Sequence, residues 1–272
     1  MPELPEVETV KETLKPLITG KTVEKTAVYY EKMVMPETKE SFNQLLKNQT
    51  LNTISRYGKY LLFEFTSVTL LVHLRMEGKF YVKEAHLPKE KHEHVTIFFT
   101  DGTSLRYHDV RKFGTLTLKV PDSIFDNPPL NKLGYEPHHP NLTKTYLKQK
   151  FKTTRSIKTV LLDQTIILGL GNIYVDEVLF CAKINPLKPA NKLTTNQCET
   201  IIHCAGKIID KAIELGGSSI RTYLNSLGIS GKFQNELTVH LRANEPCIIC
   251  ENPIKKIKVG GRGTYYCSHC QK

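Results

Sequence analysis

The chain has 272 residues and a formal net charge of +11 at pH 7, from 38 Lys and Arg against 27 Asp and Glu. With 40% hydrophobic and 24% charged residues, the composition excludes a disordered or fibrous protein and suffices for about two packed domains. No apolar run approaches the roughly 18 residues of a membrane span, and the acidic start is unlike a signal peptide, so we expect a cytoplasmic protein. The positive charge favours a polyanionic partner, nucleic acid before an acidic membrane surface, although charge alone is equally compatible with a basic protein that has no such partner.

The first half of the chain predicts one helix and then a β-rich region. Residues 2–19 carry an apolar stripe at helical spacing, formed by Val7, Val10, Leu14, Leu17 and Ile18. Pro5 is tolerated in the first turn, and Gly20 marks the end of the helix. Residues 22–120 combine β-branched and aromatic residues with turn signals, and Asp101-Gly102 predicts a hairpin. Several short strands at this spacing indicate a sandwich or a barrel.

The second half predicts helices. A proline-dense stretch from Pro121 to Pro140 indicates a linker between domains. Beyond it, apolar spacing predicts helices over residues 143–151, 155–168, 173–182, 194–215 and 217–225. Three scattered cysteines, Cys181, Cys198 and Cys204, are interpreted as small buried residues, because an odd cysteine total without a secretion signal argues against a disulfide framework.

Four cysteines near the end of the chain form two Cys-x2-Cys pairs, Cys247 with Cys250 and Cys267 with Cys270. The spacing predicts two tight turns that direct four thiolates at one Zn²⁺, in a closed and therefore structural site on which so small a module depends to fold. The alternatives are two reduced dithiols or a pair of disulfides. Basic residues and glycines between the pairs predict a cationic hairpin with Arg262 at its tip, suited to a DNA groove unless its lysines only solvate the surface.

The first residues carry a second candidate for chemistry. Once the initiator methionine is removed, Pro2 offers a secondary α-amine whose ordinary pKa leaves part of it unprotonated near neutrality. Attack of this amine on a sugar C1′ gives an iminium that already carries its positive charge. Glu3 and Glu6 lie on one side of the first helical turn, where two carboxylates can serve acid and base roles. The alternative is that Glu3, Glu6 and Glu8 only complement the helix dipole.

Five motifs occur in order along the chain: MPELPEVETV at the start, HLRMEGKF at 73–80, HDVRKFG at 108–114, GLGNIYVDEVLF at 169–180 and the terminal four-cysteine motif. Together they resemble the bacterial formamidopyrimidine-DNA glycosylase family, essentially end to end. The related endonuclease VIII group usually begins PEGPE, so Leu4 argues against that group. The resemblance implies an α+β fold in three parts. These are an N-terminal β-sandwich domain with flanking helices over residues 1–133, a helix–two-turns–helix domain over 134–236, and a C-terminal β-hairpin zinc finger over 237–272.

The resemblance also implies roles for individual residues. In the catalytic group, Pro2 is the nucleophile at C1′ and Glu3 the acid/base partner. Glu6 is a supporting acid, and Lys59 lies near the phosphate and base of the lesion. The gap left by the extruded base is filled by Met76, Arg111 and Phe113, and the guanidinium can hydrogen-bond the orphaned cytosine. DNA backbone contacts are implied for His73, Asn172 and Arg262. Residues 217–235 match a loop that caps the everted purine, with capping residues Ser218, Ser219, Ile220, Arg221, Thr222 and Tyr223.

Without the resemblance, the same residues have ordinary interpretations. Met76 and Phe113 would be core residues. Lys59 would be a lysine at a strand edge, and Asn172 a simple helix N-cap.

One segment departs from the family pattern. Where the family reads Val-Tyr-Gly-Arg-x-Gly, this chain has VHLRAN over residues 239–244. Asn244 tolerates a positive φ but Leu241 resists it, which puts the turn into the zinc finger in doubt. The phosphate contact of the family's tyrosine is in doubt as well, although His240 can still donate one hydrogen bond.

The sequence therefore predicts a bifunctional DNA glycosylase/AP lyase with one structural zinc. It would excise 8-oxoguanine and formamidopyrimidines from double-stranded DNA through a Schiff base and β,δ-elimination. We expect it to bind DNA that contains oxidised bases or abasic sites, to bind no membrane, and to act as a monomer in the cytoplasm, associated with the nucleoid. One alternative is a sibling that prefers oxidised pyrimidines. The other is a non-catalytic zinc-finger protein for damaged DNA, against which the presence of Pro2, Glu3 and Lys59 counts.

Overall fold

The computed structural model describes residues 2–218 and 231–272, which fall into two compact units. The first unit comprises Met1–Asn131 and Gly216–Gly231, and the second comprises Lys132–Leu215 and Lys232–Lys272. The boundary after Asn131 lies inside the proline-dense stretch that the sequence predicts as a linker. Among the described residues, no helix is long and apolar enough to cross a membrane.

The first unit opens with α1 (Leu4–Ile18), which buries one apolar face. Val7, Val10, Leu14 and Ile18 recur every three or four residues, and each is at most 1% exposed. All four belong to the hydrophobic cluster that the strands of this unit also form, so tertiary packing stabilises the helix. The helix predicted over residues 2–19 is confirmed within two residues at its start and one at its end.

Two antiparallel four-stranded sheets make up most of the first unit. Their strands are β1 (Val23–Val28), β2 (Leu51–Tyr57), β3 (Tyr60–Phe65), β4 (Thr69–His73), β5 (Lys79–Glu84), β6 (Glu93–Phe99), β7 (Thr103–His108) and β8 (Thr115–Lys119). One sheet has the order β1-β6-β7-β5 and the other β2-β3-β4-β8. The rings of Phe63 on β3 and Phe80 on β5 lie 5.3 Å apart in one hydrophobic cluster, so the two sheets share a core and the predicted sandwich is confirmed.

The hairpin predicted at Asp101-Gly102 joins β6 to β7. Asp101 Oδ1 accepts hydrogen bonds from the N–H of Thr103 at 3.0 Å and from its hydroxyl at 2.6 Å. Gly102 has a φ of 82°, in the left-handed region that glycine adopts without strain. The predicted turn is therefore confirmed: the aspartate accepts its local hydrogen bonds, and the glycine adopts its left-handed backbone conformation.

The β-rich region also contains a helix that the sequence pattern did not predict, α2 (Lys39–Leu46). Thr38 caps it, because its hydroxyl oxygen accepts a hydrogen bond from the N–H of Ser41 at 3.1 Å. Phe42 and Leu46, four residues apart, are both buried. A capping threonine before an apolar pair at helical spacing is the signal that could have identified this helix.

The helices of the second unit are α3 (Lys144–Lys150), α4 (Ile157–Leu161), α5 (Asn172–Cys181) and α6 (Thr195–Glu214). The prediction of a helix over 155–168 is wrong beyond Leu161. Asp163 Oδ1 accepts hydrogen bonds from the N–H and hydroxyl of Thr165 at 3.0 and 2.7 Å, and Gln164 donates to the Leu170 carbonyl at 2.7 Å. These local bonds compete with the helical hydrogen-bond ladder and turn the chain away from the helix.

The interpretation of the three scattered cysteines as small buried residues without chemistry is wrong for Cys181, and for Cys204 only its burial is confirmed. Cys198 is 0% exposed, as expected. Cys181, at the end of α5, is exposed and forms a disulfide with Cys204 of α6, with the two Cα atoms 5.9 Å apart. Cysteine number and the lack of a secretion signal carry no information about which helices pack together. Packing of α5 on α6 brings the pair within bonding distance.

Candidate active site and nucleic-acid interface

The N-terminal segment is buried where the catalytic group is predicted. Pro2 and Glu3 are both buried, and Glu3 is the residue that precedes α1. Glu6 Oε2 accepts a hydrogen bond from the Glu3 N–H at 2.7 Å, and Glu6 Oε1 accepts one from the Ser218 N–H at 2.7 Å. Each carboxylate oxygen of Glu6 thus receives a backbone N–H. Glu6 therefore links the N-terminal segment to residue 218 as a hydrogen-bond acceptor, and its role as a supporting acid stays a prediction.

The glycine before Ser218 makes this contact possible. Gly217 has a φ of 75°, and a Cβ atom added to it would lie 2.9 Å from Glu6 Oε1. Any larger residue would therefore push against the carboxylate that holds the N-terminus. The segment approaches α1 this closely because it lacks a side chain at this position.

Of the six predicted loop-capping residues, only Ser218 lies among the described residues, and it is 5% exposed. Ser219, Ile220, Arg221, Thr222 and Tyr223 lie outside the described residues. Residues 217–218 are not helical, so the helix predicted over 217–225 does not begin at 217.

Lys59 lies in a two-residue hairpin turn between β2 and β3 and is 4% exposed. Its neighbour Gly58 has a φ of 57°. Arg56 supports the turn, since it donates to the Gly58 carbonyl at 2.9 Å and to Glu8 Oε2 of α1 at 2.6 Å. The interpretation of Glu8 as a residue that only complements the helix dipole is therefore incomplete. This carboxylate links α1 to the turn that carries Lys59.

His73 is the last residue of β4 and is 8% exposed. Burial, followed by the nearby positive charges of Arg75 and Lys59, lowers the pKa of His73 from 6.5 to about 3. Its Nδ1 accepts a hydrogen bond from the Arg75 N–H at 2.9 Å, so the neutral ring carries its proton on Nε2. An Nε2–H group is a donor, the kind of group that a phosphate oxygen accepts from.

Arg111 and Phe113 lie on an exposed turn that Asp109 holds together. Asp109 is 1% exposed; its Oδ1 accepts from the Arg111 N–H at 3.0 Å, and its Oδ2 accepts from the N–H groups of Phe113 and Gly114 at 2.9 and 2.8 Å. Phe113 is 53% exposed, which excludes the ordinary interpretation of this ring as a core residue. The Arg111 guanidinium lies 4.8 Å from the centre of the Phe113 ring. Both side chains are thus presented to solvent on a rigid backbone.

The turn that carries Met76 packs against the same residue as the turn that carries Phe113. Met76 is half-buried between β4 and β5. A Cβ atom added to Gly78 would lie 2.2 Å from the Tyr107 hydroxyl, and one added to Gly114 would lie 1.7 Å from it. Both glycines are needed for these approaches. The two turns with the predicted insertion residues therefore contact one buried tyrosine.

Asn172 begins α5 in the second unit, where the positive end of the helix dipole favours an anion. Its amide nitrogen donates to the Gly263 carbonyl at 3.0 Å. Lys158 donates to the same carbonyl at 3.2 Å and to Asp176 Oδ1 at 2.6 Å. Because Gly263 follows Arg262, these bonds hold the predicted phosphate-binding arginine beside the N-terminus of α5. No signal in the sequence identifies Lys158, which is separated from Gly263 along the chain.

The four terminal cysteines converge as predicted. Their Sγ atoms all lie within 4.8 Å of one another, with Cys247 3.9 Å from Cys270 and Cys250 3.5 Å from Cys267. A tetrahedral zinc with Zn–S bonds of about 2.3 Å places its sulfurs roughly 3.8 Å apart, so these residues fit one structural Zn²⁺. Four thiolates leave no ligand position for substrate, so the metal supports the fold.

The hairpin beyond the first cysteine pair is built from β9 (Lys255–Val259) and β10 (Arg262–Tyr266). Gly260 and Gly261 form its tip with φ angles of 54° and 79°. Arg262 and three lysines of β9 are exposed: Lys255, Lys256 and Lys258. The predicted cationic hairpin with an arginine at its tip is confirmed in its geometry.

The turn from residue 239 to residue 244 forms even without the family's glycines. Leu241 and Asn244 have φ angles of 65° and 66°. Glu177 holds the chain before the turn, because its carboxylate accepts from the N–H groups of Thr238, Val239 and His240 at 2.9, 3.1 and 2.8 Å. The doubt about this turn is therefore resolved by a buried glutamate of α5.

The Nδ1 atom of His240 is engaged inside the protein, and the phosphate contact expected of this residue stays a prediction. Its Nδ1 donates to Asp176 Oδ2 at 2.7 Å, and its ring packs against Tyr265 with the centroids 4.9 Å apart. His240 is 5% exposed. It therefore joins the buried Lys158–Asp176 pair.

Three family models match the chain. The formamidopyrimidine-DNA glycosylase N-terminal domain matches residues 1–116, the formamidopyrimidine-DNA glycosylase H2TH domain matches 133–224, and the zinc finger found in FPG and IleRS matches 244–272. The formamidopyrimidine-DNA glycosylase of Bacillus anthracis is 48% identical over 273 residues, which cover 100% of this chain and 99% of the relative.

Two solved structures of a Lactococcus lactis protein are similar to this chain. Wild-type Fpg in complex with N7-benzyl-Fapy-dG-containing DNA gives a TM-score of 0.92 at 44% identity, covering 100% of both chains. The complex of Fpg with abasic-site-containing DNA gives a TM-score of 0.92 at 44% identity, covering 99% of both chains.

Proposed function

Because the chain belongs to the formamidopyrimidine-DNA glycosylase family, we propose that this DNA glycosylase is bifunctional, removing oxidised purines and then cleaving the abasic strand. The substrate class is 8-oxoguanine and formamidopyrimidines in duplex DNA. The solved Lactococcus lactis complexes with a Fapy-dG derivative and with an abasic site support both steps of this proposal. The site of action would be the cytoplasm, at the nucleoid, where such DNA is found, and the protein would act as a monomer.

Base removal would begin at the amine of Pro2. Its nitrogen lone pair forms a bond to C1′ while the glycosidic bond breaks and the electron pair of that bond leaves with the base, which takes up the proton that the amine loses. Glu3, the adjacent buried carboxyl group, would donate a proton to the sugar ring oxygen as the C1′–O bond opens. The product is an iminium between Pro2 and the opened sugar.

Strand cleavage would follow from the iminium, which makes the neighbouring C2′ proton acidic. Loss of that proton expels the 3′ phosphate, and a second elimination expels the 5′ phosphate. Hydrolysis of the Schiff base then releases the sugar remnant and leaves a one-nucleotide gap bounded by phosphates. Lys59, buried in its hairpin turn, would supply positive charge near the phosphate and base of the lesion.

Eversion of the damaged nucleotide would be assigned to the two turns on Tyr107. Phe113, whose exposed turn is held by hydrogen bonds to Asp109, would wedge between bases and replace the lost stacking. Met76, on the other turn that contacts Tyr107, would help to fill the same gap. Arg111 would donate hydrogen bonds to the unpaired cytosine. Because the backbone of this turn is preorganised by Asp109, little ordering entropy would be lost on binding.

The second unit would hold the DNA backbone. Its exposed Arg262 and the positive end of the α5 dipole would both favour a phosphate, and the Gly263 carbonyl beside Arg262 accepts hydrogen bonds from Asn172 and Lys158. The finger keeps Arg262 in place through its zinc, which supplies folding free energy to the hairpin when bound. His73 of the first unit would add a neutral Nε2–H donor.

The observation that carries the proposal is the burial of Pro2 and Glu3 at the start of α1, held there by Glu6. The test is borohydride trapping on duplexes that contain 8-oxoguanine, a formamidopyrimidine, an oxidised pyrimidine or an abasic site. We expect a covalent complex with the processed protein and none with protein that retains Met1, while DNA binding persists in both. Pro5→Ala, in the same segment, is the matched control that leaves the amine intact.

Three results would overturn parts of this proposal. Full trapping by protein shown by mass spectrometry to retain Met1 would exclude the α-amine as nucleophile. Binding without any trapping would favour the non-catalytic alternative. A clear preference for the oxidised pyrimidine would instead favour the endonuclease VIII-like alternative.

A further inference from the structure

The disulfide between Cys181 and Cys204 takes no part in the chemistry proposed above, yet it lies where the zinc finger is anchored. Cys181 ends α5, and the preceding Phe180 packs in the hydrophobic cluster of the finger together with Ile254 and the zinc ligand Cys267. Phe180 is 4% exposed. The end of α5 is thus part of the finger's core.

The residues that follow Cys181 bind the last residues of the chain. The Lys272 N–H donates to the Lys183 carbonyl at 3.1 Å, and the Asn185 N–H donates to the Lys272 carbonyl at 3.1 Å. Between them, the Gln271 side chain donates to the Ile184 carbonyl at 2.9 Å.

Gln271 connects residues 183–185 to the metal site. Its side-chain oxygen accepts a hydrogen bond from the N–H of Cys267 at 2.8 Å, and Gln271 is itself 1% exposed. A short path of packed and hydrogen-bonded groups therefore runs from Cys181 through residues 183–185 and Gln271 to a zinc ligand.

The two sulfurs of the disulfide differ in their access to solvent. Cys181 is exposed, whereas Cys204, inside α6, is 2% exposed. An attacking thiolate can therefore reach Cys181, and Cys204 is the buried leaving group. Disulfides with one exposed side are those that exchange readily with external thiols.

We propose that the Cys181–Cys204 pair is a thiol–disulfide exchange site whose redox state controls how tightly the finger retains its zinc. When the disulfide is closed, the end of α5 that packs against the finger is bound covalently to α6 and is therefore rigid. When the disulfide is reduced, only non-covalent packing holds the end of α5 in place. Local unfolding then exposes the cysteine ligands more often.

The reductant is a dithiol. One of its thiolates attacks Cys181 Sγ, the bond to Cys204 breaks, and Cys204 leaves as a thiolate that takes a proton. The second thiol of the reductant then attacks its own mixed-disulfide sulfur and releases Cys181 as a thiolate, which is protonated. The dithiol is thereby oxidised to a disulfide by two electrons, and the protein pair is reduced. A small-molecule disulfide reverses the sequence by the same exchange.

The experiment measures zinc loss from the full, zinc-loaded chain. One sample is oxidised with glutathione disulfide and another is reduced with dithiothreitol, which is then removed. Transfer of zinc to a chromophoric chelator is followed in each, and peptide mapping checks the linkage of Cys181 to Cys204. We expect the linked peptide in the oxidised sample alone and zinc release that is several-fold faster in the reduced sample.

Two variants separate this pair from the other cysteines. The double variant Cys181→Ser with Cys204→Ser should release zinc at the fast rate under both conditions. Cys198→Ser, on the same helix but outside the disulfide, should keep the redox response. The proposal is wrong if no linked peptide forms, if oxidised and reduced wild-type protein release zinc at the same rate, or if the double variant still responds. Zinc release requires no DNA, so a failure of the glycosylase proposal would leave this result intact.

Discussion

At the scale of single residues, Leu241 shows how an unfavourable backbone angle is retained by its neighbours. Its φ is 65°, a conformation that costs a residue with a Cβ atom roughly 1–2 kcal/mol. Glu177 accepts three backbone hydrogen bonds from the residues just before it, and this holds the turn against the strain. The backbone strain therefore lies at a residue whose side chain is 50% exposed and contributes little to packing.

Leu241→Gly should raise the free energy of unfolding by about 1 kcal/mol, since relief of the left-handed strain exceeds the added entropy of the unfolded chain. Chemical denaturation of the zinc-loaded protein measures the change. Leu187→Gly is the matched control, because Leu187 is equally exposed but has no positive φ, and this change should not stabilise. A lower stability of Leu241→Gly than of wild type would contradict the strain argument.

His73 gives a pH dependence whose sign follows from its burial. Desolvation, with Arg75 and Lys59 nearby, lowers its pKa from 6.5 to about 3 in the folded protein. The unfolded chain therefore binds a proton at a higher pH than the folded chain does. The stability that the neutral ring contributes is complete above pH 6.5 and is lost as the pH falls from 6.5 through about 3.

His73→Gln should flatten the decline of unfolding free energy between pH 6.5 and about pH 4, because the titrating group is gone. Denaturant unfolding at several pH values measures the slope. His203→Gln, at an exposed histidine, should leave the slope as in wild type. Equal slopes in wild type and His73→Gln would mean that another group dominates the acid sensitivity.

At the scale of elements, we propose that the turn from Asp109 to Gly114 and the finger hairpin have different parts in the recognition of DNA. The buried carboxylate of Asp109 accepts three backbone hydrogen bonds in this turn, and the side chains of Arg111 and Phe113 are exposed. The hairpin exposes Arg262 at its tip, and the Gly263 carbonyl beside it accepts bonds from Asn172 and Lys158. The first geometry suits a base edge and the second suits a phosphate.

Arg111→Ala should relax discrimination between opposite bases, since a good bidentate contact contributes roughly 1–3 kcal/mol. Arg262→Ala should weaken binding to all duplexes alike and lower the salt slope by about one unit. Phe113→Ala should slow eversion with little effect on salt dependence, because no charge is lost. Lesion duplexes with each of the four bases opposite, measured at several salt concentrations, test all three. A change in opposite-base preference in Arg262→Ala but not in Arg111→Ala would reverse the assignment.

At the scale of the whole molecule, the first unit and the zinc finger have different sources of stability. The first has a core that both sheets share with α1 and α2. The finger has a small cluster in which zinc ligands themselves are members. Removal of the metal should therefore affect the finger much more than the first unit.

Chelation of zinc, or Cys247→Ser, should unfold the finger and abolish DNA binding while the first unit stays folded. Hydrogen exchange resolved by peptide measures this, with loss of protection expected in residues 247–270 and retained protection in β2–β4. Cys198→Ser provides a cysteine control outside the cluster. Purified active protein without zinc by elemental analysis would refute the metal's role.

Much of the architecture could be predicted from the chain because it depends on local patterns. The apolar stripe of α1, the Asp101-Gly102 turn and the four-cysteine spacing each specify their own geometry over a few residues. Local patterns can also mislead. The hydrogen bonds of the Asp163 and Gln164 side chains compete with helical backbone hydrogen bonds, so α4 ends earlier than the predicted helix over 155–168.

Tertiary structure decided the contacts between distant segments. Glu6 contacts Ser218, Lys158 contacts Gly263, and Cys181 is bonded to Cys204. The residues of each pair are far apart in the sequence, so no helical or strand spacing predicts the contact. Such pairs depend on which helices and turns pack together, and packing is a property of the summed buried surface rather than of any short motif. The sequence by itself thus determined the family, the zinc ligands and the candidate nucleophile. Only the folded chain determined which residues hold them in place.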